Sequence, residues 1–232
     1  PQSFSVVCGN STHTYLPLNS ALRESILEHV NYVRSFVASG LFNWTTAARM
    51  PTMMWDRKLA FAAKTLLHIC DTESICMNSK KFKYVATVEI SGIVPHLEDV
   101  PGELLQLLVK SWMNDIHGCR VTNTRAVSTE PGSCIGHYIP LIQDHGNRMG
   151  CAMRYDSVSS KLDFGEDGDG DGDDDDDDDS QNRLVLICNL SRAHVNNMPH
   201  YAVGQEPGEA CKVGIHPFYT VLCDANEPVD NN

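Results

Sequence analysis

From Ser20 to Ser39 the apolar residues Leu22, Ile26, Leu27, Val30, Val33 and Val37 fall on one helical face, with Gly40 placed to cap the end. Pro51 and Asp56 precede a second such stretch, Arg57 to Ile69, with Leu59, Ala63, Leu66 and Leu67 on its inner side. Between Phe82 and Ile90 the pattern shifts to loose alternation, which predicts a strand. Pro101, harmless in a first helical turn where its missing N–H is not needed, introduces a leucine-rich helix from Gly102 to Ile116. Gly118 to Ser133 reads as loop, and His137 to Gln143 as a helix that Pro140 limits to about one turn. The clearest strands are Arg148 to Tyr155 and Arg183 to Ser191. Residues 1–19 read as turn-rich and tethered at most through Cys8, and Met198 to Asn232 as loop stapled by its cysteines.

Helices and strands mix without regular β-α-β alternation, so the expected class is α+β, a helix–sheet–helix sandwich. With 232 residues, 42% of them hydrophobic, the chain can bury one sizeable core. That core belongs to a domain over residues 20–197, flanked by the segment 1–19 and an extension over 198–232. No apolar run approaches the ~20 residues that span a bilayer. The chain opens at Pro1-Gln2-Ser3 with neither a charged nor an apolar leader region, so any secretory signal is expected to have been removed or left out.

The net charge of −12 is unevenly placed. Twelve acids lie between Asp163 and Asp179, seven of them the consecutive aspartates Asp173 to Asp179; without them, 18 acids face 18 lysines and arginines. The folded body is therefore neutral and carries one acidic hairpin insert, residues 163–180, between two strands. No basic run suggests a nucleic-acid surface. Asp167-x-Asp169-x-Asp171-Gly172 resembles the first half of an EF-hand loop, but position twelve is Asp178 rather than glutamate and the flanks read as strands. Two readings stay open: a solvated insert, extended by self-repulsion, or a segment that binds calcium weakly at Asp167, Asp169 and Asp171 or docks to a basic partner.

Nine cysteines, none in a C-x-x-C pair, fit disulfides in an oxidising compartment better than a zinc site. Cys151 and Cys188, on neighbouring strands, can staple a hairpin. Three sequons, at Asn10, Asn43 and Asn189, are consistent with export and glycosylation.

Ile135-Gly136-His137-Tyr138, Met149-Gly150-Cys151-Ala152 and Ile187-Cys188-Asn189 together resemble the signature of the CAP superfamily: cysteine-rich secretory proteins, venom antigen 5 and plant pathogenesis-related proteins. Upstream, Cys8-Gly9-Asn10, Asn31-x-x-Arg34-x-x-Val37-Ala38-x-Gly40 and Trp55-Asp56-x-x-Leu59-Ala60 are similar to the antigen 5 opening. Tyr201-Ala202-x-Gly204, Cys211-Lys212-x-Gly214 and Leu222-Cys223 resemble the C-terminal extension of fly antigen 5-like proteins. The resemblance covers nearly the whole chain apart from the acidic insert.

It implies a three-layer α-β-α sandwich and an extracellular, non-enzymatic protein. It also implies the bridges Cys8–Cys70, Cys119–Cys134, Cys151–Cys188 and Cys211–Cys223. Cys76 is then left over, either because its family partner lies in an N-terminal stretch this chain lacks or as a buried free thiol. The family's cleft holds two histidines and two acids. Carried over by motif, His137 keeps the second histidine, Asp115 stands for a glutamate on the third helix, Glu73 replaces the first histidine three residues before Cys76, and Glu89 lies one position from the remaining acid. One position along a strand turns a side chain to the opposite face. One histidine and one short carboxylate fall below the three or four ligands zinc needs, so His137 reads as a remnant and no metal or other cofactor is expected.

A secreted, non-catalytic antigen 5-like protein is therefore expected, a monomer that binds a small apolar ligand such as a lipid, or a protein receptor. Leu104, Leu105, Leu107 and Leu108 allow either a core or a lipid groove, and Met50, Met53 and Met54 either core or an adaptable rim. A surface interaction module acting through the acidic loop is the alternative. A metal-dependent hydrolase comes third, because neither Ser111 nor Ser133 lies in a nucleophile-elbow motif.

Overall fold

The two most apolar strand segments lie at the centre of one sheet. β5 (Arg148–Val158) and β6 (Arg183–Leu190) pair antiparallel with Cys151 opposite Cys188, and β4 (Ala86–Ile93) runs antiparallel along the far side of β6. The other edge of β5 is shared by two short strands. β3 (Met54–Trp55) pairs in parallel with Arg148 and Met149, while β2 (Ser11–Leu16) pairs antiparallel with residues 153–158 and carries β1 (Ser5–Cys8) outside it. These relationships come from a computed structural model that describes residues 5–8, 11–42, 44–68, 77–94, 96–114, 139–158, 182–195 and 198–230.

Helices cover both faces, which is why β6 is buried at every position but Arg183. α1 (Ser20–Ala38) starts where the Asn19 side chain accepts the Leu22 N–H, and Gly40, at φ +68°, turns the chain away after it. α3 (Val100–Leu108) lies on the same face. There Ile26, Val30, Val33, Leu104, Leu108 and Trp112 join Val88, Ile90, Cys151, Met153, Leu186 and Cys188 in the main core. α2 (Arg57–Leu67), capped by Asp56 through the N–H groups of Lys58 and Leu59, packs Ala63, Leu66 and Leu67 against Val185 and Ile187 on the opposite face. Each fully buried leucine or valine contributes about 1.5–3 kcal/mol relative to exposure. Gly150 lets α2 lie this close, since a Cβ there would stand 2.2 Å from the Ala60 nitrogen. The three layers expected from the sequence are present.

Four local expectations are corrected. Residues 5–8 and 11–16 are strands that widen the sheet, because the β-favouring Thr12, Thr14 and Tyr15 find a partner in β5. The strand expected from Phe82 starts at Ala86, because Ser79 and Phe82 close a turn through two hydrogen bonds. The leucine-rich helix starts at Val100 and widens into a π-helical turn over Val109–Asn114 rather than running regularly onward. The short segment before Gln143 is a 3-10 turn, Ile139–Ile142.

The extension lies along residues 46–52 as turns. Ala48 N–H donates to Ala202 O, Cys223 N–H to Met50 O, and Thr52 donates through both N–H and hydroxyl to Cys223 O. A disulfide joins Cys211 to Cys223, and another joins Cys151 to Cys188. Asn31-x-x-Arg34 anchors the neighbouring turns. Asn31 exchanges two hydrogen bonds with the Met53 backbone, while the fully buried Arg34 donates to the carbonyls of Pro51, Leu141, Gln143 and Gly146.

Candidate functional site

β2 ends at Leu16 and β3 ends at Trp55, so among the described residues the edge of β5 between them has no strand beside it. Pro17 follows β2 directly and has no N–H with which to continue the ladder. The gap is the floor of a groove of about 770 Å3. Cys151, Ala152 and Met153 form its base, Leu16 to Leu18 one wall, and Trp55 and Ala60 the other. Arg57, Phe61 and Lys64 recur at helical spacing along the rim, and Phe61 is 73% exposed. Arg23, from the first turns of α1, completes the rim with its guanidinium 5.7 Å from the centre of the Trp55 ring.

Among the described residues the lining contains three cations and no carboxylate. Among the described residues, no ion pair involves Arg23, Arg57 or Lys64. Asp56, the acid beside Arg57 in sequence, is already engaged by two amides of its own helix and by Lys81 at 2.7 Å. Burial raises its carboxyl, but the Lys81 hydrogen bond and the two amides outweigh that and hold it below its ordinary value. Among the described residues the groove therefore presents uncompensated positive charge over an apolar floor, an arrangement that attracts anions.

At the outer end of β2, His13 Nδ1 stands 2.5 Å from Asp156 Oδ1, and Arg154 Nε contacts the same carboxylate at 3.0 Å. A carboxylate-held histidine is half of a nucleophilic dyad. Here Nε2 of His13 is buried with no hydrogen-bond partner, so no described hydroxyl or thiol is poised against it. The trio instead fastens the N-terminal strands to the sheet.

Of the cleft residues expected from the sequence, Glu89 stands opposite Ile187 on the α2 face, away from the layer formed by α1 and α3. His137, Asp115 and Glu73 lie outside the described residues, as do Cys70, Cys76, Cys119, Cys134, Asn10, Asn43, Asp167, Asp169 and Asp171, and nothing is described for the Cys8 side chain. Among the described residues no group of three or more histidines, cysteines or acids could hold a metal ion. Asn189 is fully buried, its side chain accepting from Thr87 and donating to the Leu59 carbonyl, so the folded protein has no room for a glycan there. Of the two alternatives left for the methionines and leucines, core packing holds for most of them. Met50, Met53, Leu104 and Leu108 are core, and Leu107 packs over Gly92.

Sequence reasoning missed the groove because its rim comes from three separate segments. Only the Arg57, Phe61, Lys64 spacing hinted at it. Also unforeseen is the pairing of buried His200 with half-buried His194. His200 takes a hydrogen bond from Gln143 at Nδ1, with the His194 ring centre 4.5 Å away. Burial, reinforced by His194, pulls His200 down to about 4, and burial lowers His194 as well.

A family model described as the cysteine-rich secretory protein family, CAP, matches residues 27–164. Venom allergen-1 of Aedes albopictus is 26% identical over 231 residues, which is 99% of this chain and 82% of that protein. Tabinhibitin 1 of Tabanus yao is 29% identical over 229 residues, covering 97% and 80% respectively. The solved structure of NaASP2 with Zn2+ superposes with a TM-score of 0.63 at 18% identity, covering 88% of this chain and 96% of that one. At this identity it bears on the fold alone.

Proposed function

The chain belongs to the cysteine-rich secretory protein (CAP) family, and from that premise we propose that it is a secreted, non-catalytic binding protein whose ligand is anionic with an apolar portion. The groove between β2 and β3 carries this reading: three cations without an ion-pair partner among the described residues rim an apolar lining that includes Leu18, Trp55 and Met153. A family described as secretory, relatives named venom allergens and two buried or half-buried disulfides support an extracellular setting. No described helix is long and apolar enough to cross a membrane. The non-catalytic part is supported by the His13–Asp156 pair, which has no nucleophile in reach among the described residues. The cations also sharpen the expectation from sequence, since a wholly apolar ligand would leave them unmatched.

Native extraction tests the proposal. Protein purified without denaturation should release an anionic molecule to mass spectrometry, and the double variant Arg57→Glu, Lys64→Glu should carry far less of it. A ligand-free native protein, or a ligand retained equally by the double variant, would sink the groove as the binding surface.

A further inference from the structure

We infer that the gap between β2 and β3 receives an extended acidic peptide segment, which adds a single β-bridge to Cys151 and sets its carboxylates against Arg57 and Lys64. This rests on the reading of the groove as the binding surface and goes further by naming the class of partner.

The backbone of β5 supplies the first argument. In an antiparallel ladder, residues of a non-hydrogen-bonded pair turn their N–H and C=O away from each other, and their Cα atoms approach more closely than in a hydrogen-bonded pair. Cys151 and Cys188 are opposite partners with Cα atoms 4.0 Å apart, so Cys151 directs both polar groups to the β2/β3 side. Met149, two residues earlier and of the same orientation, uses its carbonyl there to accept from Asp56 N–H at 2.7 Å. Met153, two residues later, faces Leu16 of β2. Cys151 lies between them, and among the described residues no hydrogen bond outside the β5–β6 pair engages its N–H or C=O. Among the described residues it is an unfilled position in an otherwise paired edge.

That position selects among anionic ligands. A hydrocarbon chain laid over it would bury the amide and carbonyl without partners, a desolvation cost with nothing in return. A peptide in extended conformation satisfies both, as in other cases of strand addition to a sheet edge. The period of two then fixes its side chains. The guest residue opposite Cys151 points to the core side, while its two neighbours point to the α2 side, where Arg57, Phe61 and Lys64 form the rim. Uncompensated cations there favour aspartate or glutamate at both neighbours. Because β2 and β3 close the gap at either end, pairing stops after one bridge. Affinity is therefore modest, and charge supplies most of the selectivity.

Fluorescence anisotropy with the intact protein tests this, using a labelled Val-Asp-Val-Asp-Val peptide, the same peptide N-methylated at its central valine, a lysine analogue and a fluorescent fatty acid. The acidic peptide should bind, and binding should weaken about tenfold for Arg57→Glu or Lys64→Glu and about tenfold with N-methylation, while raised salt weakens it further. Both substitutions are at exposed positions, and unchanged thermal unfolding checks that they leave the fold intact. Equal binding of the N-methylated or lysine peptide would overturn the inference. If the fatty acid binds in an Arg57-dependent manner and the peptide does not, the peptide is wrong and the groove survives. If neither binds, both fall.

Discussion

Arg49 and Glu227 are 178 residues apart in sequence, yet Arg49 Nε donates to Glu227 Oε1 at 2.6 Å. The carboxylate is 2% exposed and also accepts the N–H groups of Lys212 and Val213, while Arg49 reaches on to the Pro228 carbonyl. One buried acid thus ties the extension's disulfide loop to the segment that follows α1.

Glu227→Gln should therefore cost about 3 kcal/mol, the loss expected when one partner of a buried ion pair is neutralised, as measured by urea unfolding. Burial raises the carboxyl of Glu227, but the hydrogen bonds from Lys212, Arg49 and Val213 outweigh this and lower it overall. A lowered folded value means that stability is present above the ordinary carboxylate range and is lost as pH falls through the folded value. The wild type should show that acid limb and the variant should lack its share of it.

Arg34 answers four carbonyls from inside the core, and burial pulls its guanidinium down to about 9, with the Asp144 charge opposing, so it remains a cation at neutral pH. Arg34→Met fills a similar volume but leaves those acceptors bare. A loss of about 3–5 kcal/mol is expected, with hydrogen exchange quickening first in residues 141–147.

Gly150→Val should be among the most damaging single changes in the sheet, because its side chain would collide with the backbone of α2 at Ala60. Overpacking of this kind costs about 1–3 kcal/mol or more, and Gly150→Ala should already lower the unfolding temperature measurably.

His200 is neutral in the fold down to about pH 4, whereas unfolded histidine protonates near 6.5. Below 6.5 the unfolded chain binds the extra proton, so stability should fall as pH drops from about 6.5 to 4, by roughly 2 kcal/mol after allowing for solvent screening. His200→Gln should flatten that limb in a series of melting curves.

Peptide mapping of the protein expressed through a secretory host should find Asn189 unmodified, because its amide is enclosed between Thr87 and Leu59. Asn189→Asp should cost about 2 kcal/mol by placing a charge in that enclosure.

Much of the architecture was legible along the chain because it depends on local periodicity. The faces of α1 and α2 repeat every three to four residues, β6 is an unbroken apolar run, and Asp56 and Gly40 punctuate helices in the usual way. Cys151 and Cys188 were recognisable as a pair because two strand signals bracket one insert. The strands over residues 5–16 were less legible. Their alternation is short and polar, and they are stable only because β5 offers an edge.

The identity of each layer and the family resemblance were thus already written in residue order, since periodicity and motif spacing are properties of neighbours along a chain. Where β2 stops relative to β3 was not. That gap depends on which two strands share an edge of β5, and the meeting of Arg23, Trp55, Arg57 and Lys64 around it depends on how α1 and α2 pack on opposite faces of the sheet. Contacts between distant segments are settled by burial and pairing summed over the whole fold, and no local pattern encodes them.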